Sequence, residues 1–260
     1  MRVTVLGSGT AQPQPDSPAS GLLLQATDTS LLLDCGTGAI TRLEAHLDPR
    51  DLTAVLIGHL HGDHFLDLVP LRYLFPWAGG VERHLPVYIP PGQRLRIDAL
   101  AESISERPGF FDDAFTVAEY DPAGRLTFGC LEVEFRRARH YVPAWSMAFT
   151  DGRHRFVYLG DTGPSDDLVA FATGADLLIM EATLPSSAED DVERGHLTAE
   201  EAIELAEDAA AKRALLVHYP SARRAEIERL CERTEGRVRA AVPGTAVRVG
   251  TETVTETGGG

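Results

Sequence analysis

Three histidines and an aspartate stand within seven residues, Gly58-His59-Leu60-His61-Gly62-Asp63-His64, directly after the apolar run Ala54-Val55-Leu56-Ile57. The run reads as a buried strand, so the fold must end a strand where four ligand-type side chains emerge together. In extended chain, residues two apart point the same way, which lets His59 and His61 share one ion. Asp63 and His64 follow where the chain turns and face a neighbouring ion. Imidazole and carboxylate are donors that zinc, manganese and iron accept. A surface loop has no need of three histidines at this spacing, in a chain that holds nine in all.

Three further candidates end strand-like runs. His140 follows Phe135-Arg136-Arg137-Ala138-Arg139, Asp161 closes Val157-Tyr158-Leu159-Gly160, and His218 ends Leu215-Leu216-Val217. Each alone fits a capping or surface residue; together they fit the rule that α/β sheets place sites beyond strand ends. Leu22-Leu23-Leu24 and Leu31-Leu32-Leu33 flank a polar turn and predict a hairpin. Helices are expected near Thr41 to Leu47, Leu95 to Ile104, Asp166 to Ala172, Ala199 to Ala211 and Ala222 to Arg233. Thr198 followed by Glu201 is a capping box, the best-determined boundary in the chain. Two sheet-rich halves with helices between and outside them predict an α/β fold, an αββα sandwich. It reads as one domain over 1–250, with a flexible, frayed tail over 251–260.

The 39 acidic and 24 basic residues give a net charge of −15, which repels polyanions at long range and disfavours long nucleic acids as partners. Cys35, Cys130 and Cys231 form no CxxC pair, so neither a disulfide framework nor a thiolate metal site is indicated. A reduced, cytoplasmic setting is expected. No apolar run approaches the roughly 18 residues that span a bilayer, so no membrane partner is expected. A homodimer stays open.

With these residues in view, the chain resembles the metallo-β-lactamase superfamily from Val3 to about Val249. The HxHxDH run, Asp34 in Leu33-Asp34-Cys35-Gly36, and then His140, Asp161 and His218 fall in that family's order. The resemblance implies two divalent ions, zinc first, with manganese or iron as alternatives. It places His59, His61 and His140 on one ion and Asp63, His64 and His218 on the other, with Asp161 bridging beside a hydroxide. It casts Asp34 as an aspartate that orients ligands without binding metal. Read on its own, Asp34 is equally a strand-end residue bonding its own turn.

Within the superfamily the chain is most similar to the ribonuclease Z-like phosphodiesterases. Glu181-Ala182-Thr183, Gly195-His196-Leu197-Thr198-Ala199, Gly7-Ser8-Gly9-Thr10 and Ser17-Pro18-Ala19-Ser20 carry that similarity. His196 precedes the helix that Thr198 caps, where partial positive charge favours an anion. It is a candidate proton donor to the leaving oxygen, with Glu181 orienting it and Asp63 holding the attacking hydroxide. His46, His84 and His154 match no motif and read as surface residues. Only 20 residues separate His140 from Asp161, too few for the basic tRNA-binding arm of long-arm ribonuclease Z enzymes. Arg136, Arg137, Arg139, Arg153 and Arg155 cluster in sequence, as a phosphate contact or as solvated strand-face charge.

The implied activity is metal-dependent hydrolysis of small or cyclic phosphodiesters such as cyclic nucleotides. Its alternatives are tRNA 3′-end cleavage and hydrolysis of a non-phosphate ester, thioester or lactam. A redox di-iron protein and a metal-free scaffold are the non-hydrolytic ones. A di-iron centre replaces the second histidine with glutamate, against His61, and a scaffold would have lost ligands that are all present here.

Overall fold

Apolar runs that continue without polar alternation belong in strands covered on both faces. The computed structural model describes residues 1–75, 84–105, 109–187, 194–251 and 254–256. Its first sheet holds β1 (Arg2–Gly7), β2 (Gly21–Ala26), β3 (Thr29–Leu33), β4 (Ala54–Leu56), β5 (Leu85–Ile89) and β6 (Phe115–Glu119). The second holds β7 (Leu126–Phe128), β8 (Leu131–Arg137), β9 (Trp145–Thr150), β10 (Arg155–Tyr158), β11 (Leu177–Glu181), β12 (Ala214–Val217) and β13 (Val238–Ala240). Two late strands, β14 (Thr245–Arg248) and β15 (Val254–Glu256), return to the first sheet beside β1.

The leucine triplets show the layering. Leu22, Leu24, Leu31 and Leu33 face the second sheet and join Phe149, Phe156 and Ile179 in the central core. Leu23 and Leu32 face outward and meet Ile40 and Leu43 of α1 (Ala39–Leu43). α2 (Gly62–Phe65), α3 (Leu68–Arg72) and α4 (Arg94–Ile104) add Phe65, Leu68, Leu71 and Ile97 to that outer layer. On the far side α5 (Asp166–Ala172), α6 (Ala199–Asp208) and α7 (Arg224–Glu232) cover Val157, Leu178 and Leu216. The result is the αββα sandwich, and the Leu22–Leu33 hairpin is β2 and β3 in register.

Element ends differ from expectation where a distant residue decides them. α1 begins at Ala39, not near Thr41, because the Asp67 carboxylate accepts the Ile40 N–H at 3.0 Å. α6 stops at Asp208, not Ala211, since Ala210 turns to a φ of 48°. Ser221–Arg223 is a tight 3-10 turn, so α7 starts at Arg224, not Ala222. The tail read as frayed contributes β15, which pairs antiparallel with β14; residues 252–253 and 257–260 lie outside the described ones. Among the described residues, no helix is long and apolar enough to cross a membrane.

Candidate metal centre

All seven candidate ligands converge at one end of the sandwich, beyond the ends of β4, β8, β10 and β12. After β4 the chain bends at Gly58 and is extended again at His61, whose φ and ψ are −81° and 148°, and the His59 and His61 rings meet in one group. α2 then turns Asp63 and His64 toward the same space. Gly36 permits this turn: a Cβ there would lie 1.9 Å from the Asp63 carbonyl oxygen, so no larger residue fits.

His61 Nδ1 lies 3.1 Å from His59 Nε2 and 3.0 Å from His140 Nε2. One proton could bridge only one of these pairs, whereas a cation among the three nitrogens satisfies all of them. Tetrahedral zinc–nitrogen bonds of about 2.0 Å set ligand nitrogens roughly 3.3 Å apart, close to this spacing. Burial holds His59 well below the ordinary histidine range, lowers His61 and brings His140 to about 4. These rings are therefore neutral at pH 7, with lone pairs available.

The second group, Asp63, His64 and His218, is held from behind. His64 Nδ1–H donates to Asp34 Oδ2 at 2.8 Å, which leaves its Nε2 to face Asp161 Oδ2 at 3.3 Å. Thr183 Oγ1 donates to the His218 carbonyl at 2.9 Å, so it must accept from His218 Nδ1–H, also at 2.9 Å. His218 Nε2 then meets Asp63 Oδ2 at 3.0 Å. His140 is fixed the same way, its Nδ1–H donating to the Gly195 carbonyl at 2.8 Å. Three rings thus carry a proton on the outward nitrogen and turn the other inward, the arrangement expected of metal ligands.

Asp161 sits between the groups, with Oδ2 3.5 Å from His218 Nε2 and 3.8 Å from His59 Nε2. Its Oδ1 is buried and has no hydrogen-bond partner. A buried carboxylate oxygen left unpaired costs on the order of 1–3 kcal/mol or more, which a cation offsets. Burial alone would raise the Asp161 carboxyl, and His218, His64 and His59 together hold it well below its ordinary value. For His64 and His218, burial alone would lower the pKa, and the carboxylates raise it: Asp161 and Asp34 for His64, Asp161 and Asp63 for His218. This donor set fits divalent cations.

Asp34 does not bond its own turn. Oδ1 accepts Gly58 N–H at 2.8 Å, and Oδ2 accepts Tyr158 Oη–H at 2.7 Å besides His64. Its φ of 56° and the 50° of His218 are left-handed conformations that non-glycine residues adopt at some cost, and both lie at this site.

Glu181 and His196 also come together, Oε1 to Nδ1 at 2.7 Å, with His196 Nδ1 4.0 Å from Asp161 Oδ2. Burial pushes the Glu181 carboxyl up, opposed by its bond to His196. Its oxygens also accept the backbone N–H groups of Thr162, Thr183 and Leu197. These three backbone donors favour the carboxylate form, which then receives His196 Nδ1–H. The Thr198–Glu201 capping box forms in full.

The arginines form no common patch at the ligand groups, although Arg136 and Arg155 both lie over the Phe171 ring. Arg153 and Arg155 lie at the end of the β9–β10 hairpin away from Asp161. Arg136 stacks over Phe171, Arg137 over Trp145, and Arg139 reaches the Pro164 carbonyl. His84 is exposed, whereas His46 and His154 are half-buried; none joins a ligand group among the described residues. Sequence reasoning missed Tyr158. Its two-residue alternation with Phe156 places it between the sheets, where a buried phenol needs a partner.

Residues 29–219 match the family model described as the beta-lactamase superfamily domain. The chain is 32% identical to the probable metallo-hydrolase YhfI of Bacillus subtilis, over 85% of this chain and 87% of that one. The crystal structure of that metallo-beta-lactamase fold protein aligns with a TM-score of 0.83 at 28% identity, covering 95% of this chain and 98% of the other. Ribonuclease Z of Methanothermobacter thermautotrophicus is 30% identical over 84% of this chain and 86% of its own. Fold, inward-facing ligand groups and relatives agree: the chain belongs to the metallo-β-lactamase superfamily, as one of its divalent-metal-binding hydrolases.

Proposed function

We propose that this hydrolase cleaves small or cyclic phosphodiesters, cyclic nucleotides among them, at a dinuclear centre. His59, His61 and His140 would hold one ion and Asp63, His64 and His218 the other, with Asp161 placed between the two groups. Zinc suits this imidazole-rich set, and manganese or iron would also be accepted. Such ions supply Lewis acidity toward phosphoryl oxygens and lower the pKa of water to about 7. With one carboxylate oxygen toward its ion, Asp63 would turn the other to accept a hydrogen bond from the attacking water and fix its direction.

The observation that carries the phosphodiester reading is the Glu181–His196 pair beside Asp161. The Glu181 carboxylate receives the Nδ1 proton of His196, which fixes the tautomer and stabilises the imidazolium. His196 thereby holds a second proton at Nε2 for the leaving alkoxide, a need that phosphodiesters have and thioesters, whose thiolate leaves unprotonated, do not. A small substrate is favoured over tRNA because the chain between His140 and Asp161 is spent on the β9–β10 hairpin within the sheet. The net charge of −15 points the same way.

A substrate panel tests this. Metal-replete protein should hydrolyse 3′,5′-cyclic AMP and bis(p-nitrophenyl) phosphate with a kcat/KM above that for a thioester, a β-lactam and precursor tRNA. Preferred turnover of the thioester or lactam would sink the phosphodiester reading; efficient tRNA 3′-end cleavage at physiological salt would sink the small-substrate one.

A further inference from the structure

A cavity of about 500 Å³ opens beside the metal centre and has no role in the chemistry above. Gly62, Asp63 and Arg42 of α1 all line it, with Pro13, Pro15 and Leu66 among its walls. The loop that forms one wall is fixed in place. Gly9 N–H donates to the Pro18 carbonyl at 2.9 Å, and Ser8 and Ser17 hydroxyls meet at 3.0 Å. Gln14 reaches Tyr219 and Ser221, just beyond His218, through its amide nitrogen and oxygen respectively. Gly7 is required beneath this loop, since a Cβ there would lie 1.8 Å from the Ala19 carbonyl oxygen. The wall is therefore tied to the metal-ligand segment and preorganised.

Arg42 stands where this cavity meets a second one of about 340 Å³, which Ser17, Ser221 and Arg224 also line. Arg224 is engaged with Glu228 at 2.7 Å. Arg42 differs: the residue is half-buried, yet its side chain has no hydrogen-bond or ion-pair partner among the described residues. The one carboxylate at the second cavity, Asp16, is exposed and does not pair with it. In a chain with 39 acidic residues, an unpaired, half-buried arginine beside two cavities is a donor kept available.

We propose that the larger cavity holds the nucleoside of a phosphodiester whose scissile phosphate lies at the metal centre, and that Arg42 binds a second phosphate on that nucleoside. The proposal rests on the phosphodiesterase reading and adds a substrate class, small nucleotides carrying two phosphates. Its size lies within the range of small-ligand pockets, and proline and leucine walls suit the faces of a base. A guanidinium suits a phosphate because its fork of donors matches two oxygens at once.

The test compares two dinucleotides with the same scissile bond, one bearing a 5′-phosphate and one without it. Metal-replete protein should prefer the phosphorylated one in kcat/KM. Arg42→Ala should reduce that preference by about 10- to 100-fold, the range for losing a charge-assisted hydrogen bond, and Arg42→Lys by less. No preference in the wild type, or an equal loss on both substrates in Arg42→Ala, would overturn the subsite. Calorimetry separates this from failure of the phosphodiesterase reading: adenosine 3′,5′-bisphosphate should bind more tightly than adenosine 5′-monophosphate, by a margin that Arg42→Ala removes. If neither dinucleotide is cleaved, the functional reading falls and this margin alone decides the subsite; no margin overturns it.

Discussion

Asp34→Asn should detach the second ion while sparing the first. Asparagine tolerates the left-handed φ of 56°, so the backbone can stay in place. Oδ1 must still accept Gly58 N–H, which puts the new amide NH2 where Oδ2 now receives Tyr158 and His64. Tyr158 can rotate its hydroxyl and accept. His64 must give up its Nδ1 proton to accept, and the proton then sits on Nε2, the nitrogen that should face the metal. Losing a buried, charge-assisted hydrogen bond costs about 1.5–3 kcal/mol, which at roughly 2–4 °C per kcal/mol lowers Tm by about 3–12 °C. Losing the group that orients a ligand lowers metal affinity about 10- to 100-fold. Tyr158→Phe is the control, since it removes one donor from Asp34 but leaves the His64 tautomer alone. Calorimetric titration of metal into stripped protein should show only the weaker-binding phase lost in Asp34→Asn, and both phases kept in Tyr158→Phe. Wild-type affinity for both ions in Asp34→Asn would refute the tautomer argument.

Two further outcomes follow from the same geometry. His196→Ala should bind metal normally and lose about 10²–10⁴ in kcat on alkyl diesters, with a much smaller loss on nitrophenyl diesters, whose leaving group needs little protonation; equal losses on both would remove the proton-donor role. Metal binding near pH 7 should release protons from His64 and His218, whose pKa values the neighbouring carboxylates raise, and none from His59, His61 or His140, which burial lowers. Before metal is added, the raised pair stabilises the fold at pH values below their unfolded pKa, and this is lost as pH rises through the folded values. Release should fade over that same rise, and calorimetry in buffers of different ionisation enthalpy reads it; no release at pH 7 would contradict these charge states.

The convergence of the candidate ligands was legible because their chemistry is local. Alternation along extended chain put His59 and His61 in one group, and the strand ends before His140, Asp161 and His218 gave the rest a common edge. The capping box was legible for the same reason, as its two members are three residues apart. What stayed hidden is set across strands and between sheets. Tyr158 reaches Asp34 from the opposite sheet, and Asp67 fixes the start of α1 from 27 residues away. The Arg136–Arg155 stretch looks like one basic patch in sequence, but the β9–β10 turn carries Arg153 away from Asp161, and Arg136 and Arg155 are spent on the Phe171 ring. The tail was read from composition, which does not reveal that β14 has a free edge for β15. Gly7 and Gly9 looked like an ordinary turn signal; the loop that crosses them shows their purpose.

The central claim is that both ligand groups must be filled for phosphodiester cleavage. Stripped protein should be titrated with divalent zinc while the initial rate of bis(p-nitrophenyl) phosphate hydrolysis is followed against metal content per chain. The rate should stay low through the first equivalent, rise through the second and then level off. Full turnover at one equivalent, or none at any loading, would contradict it.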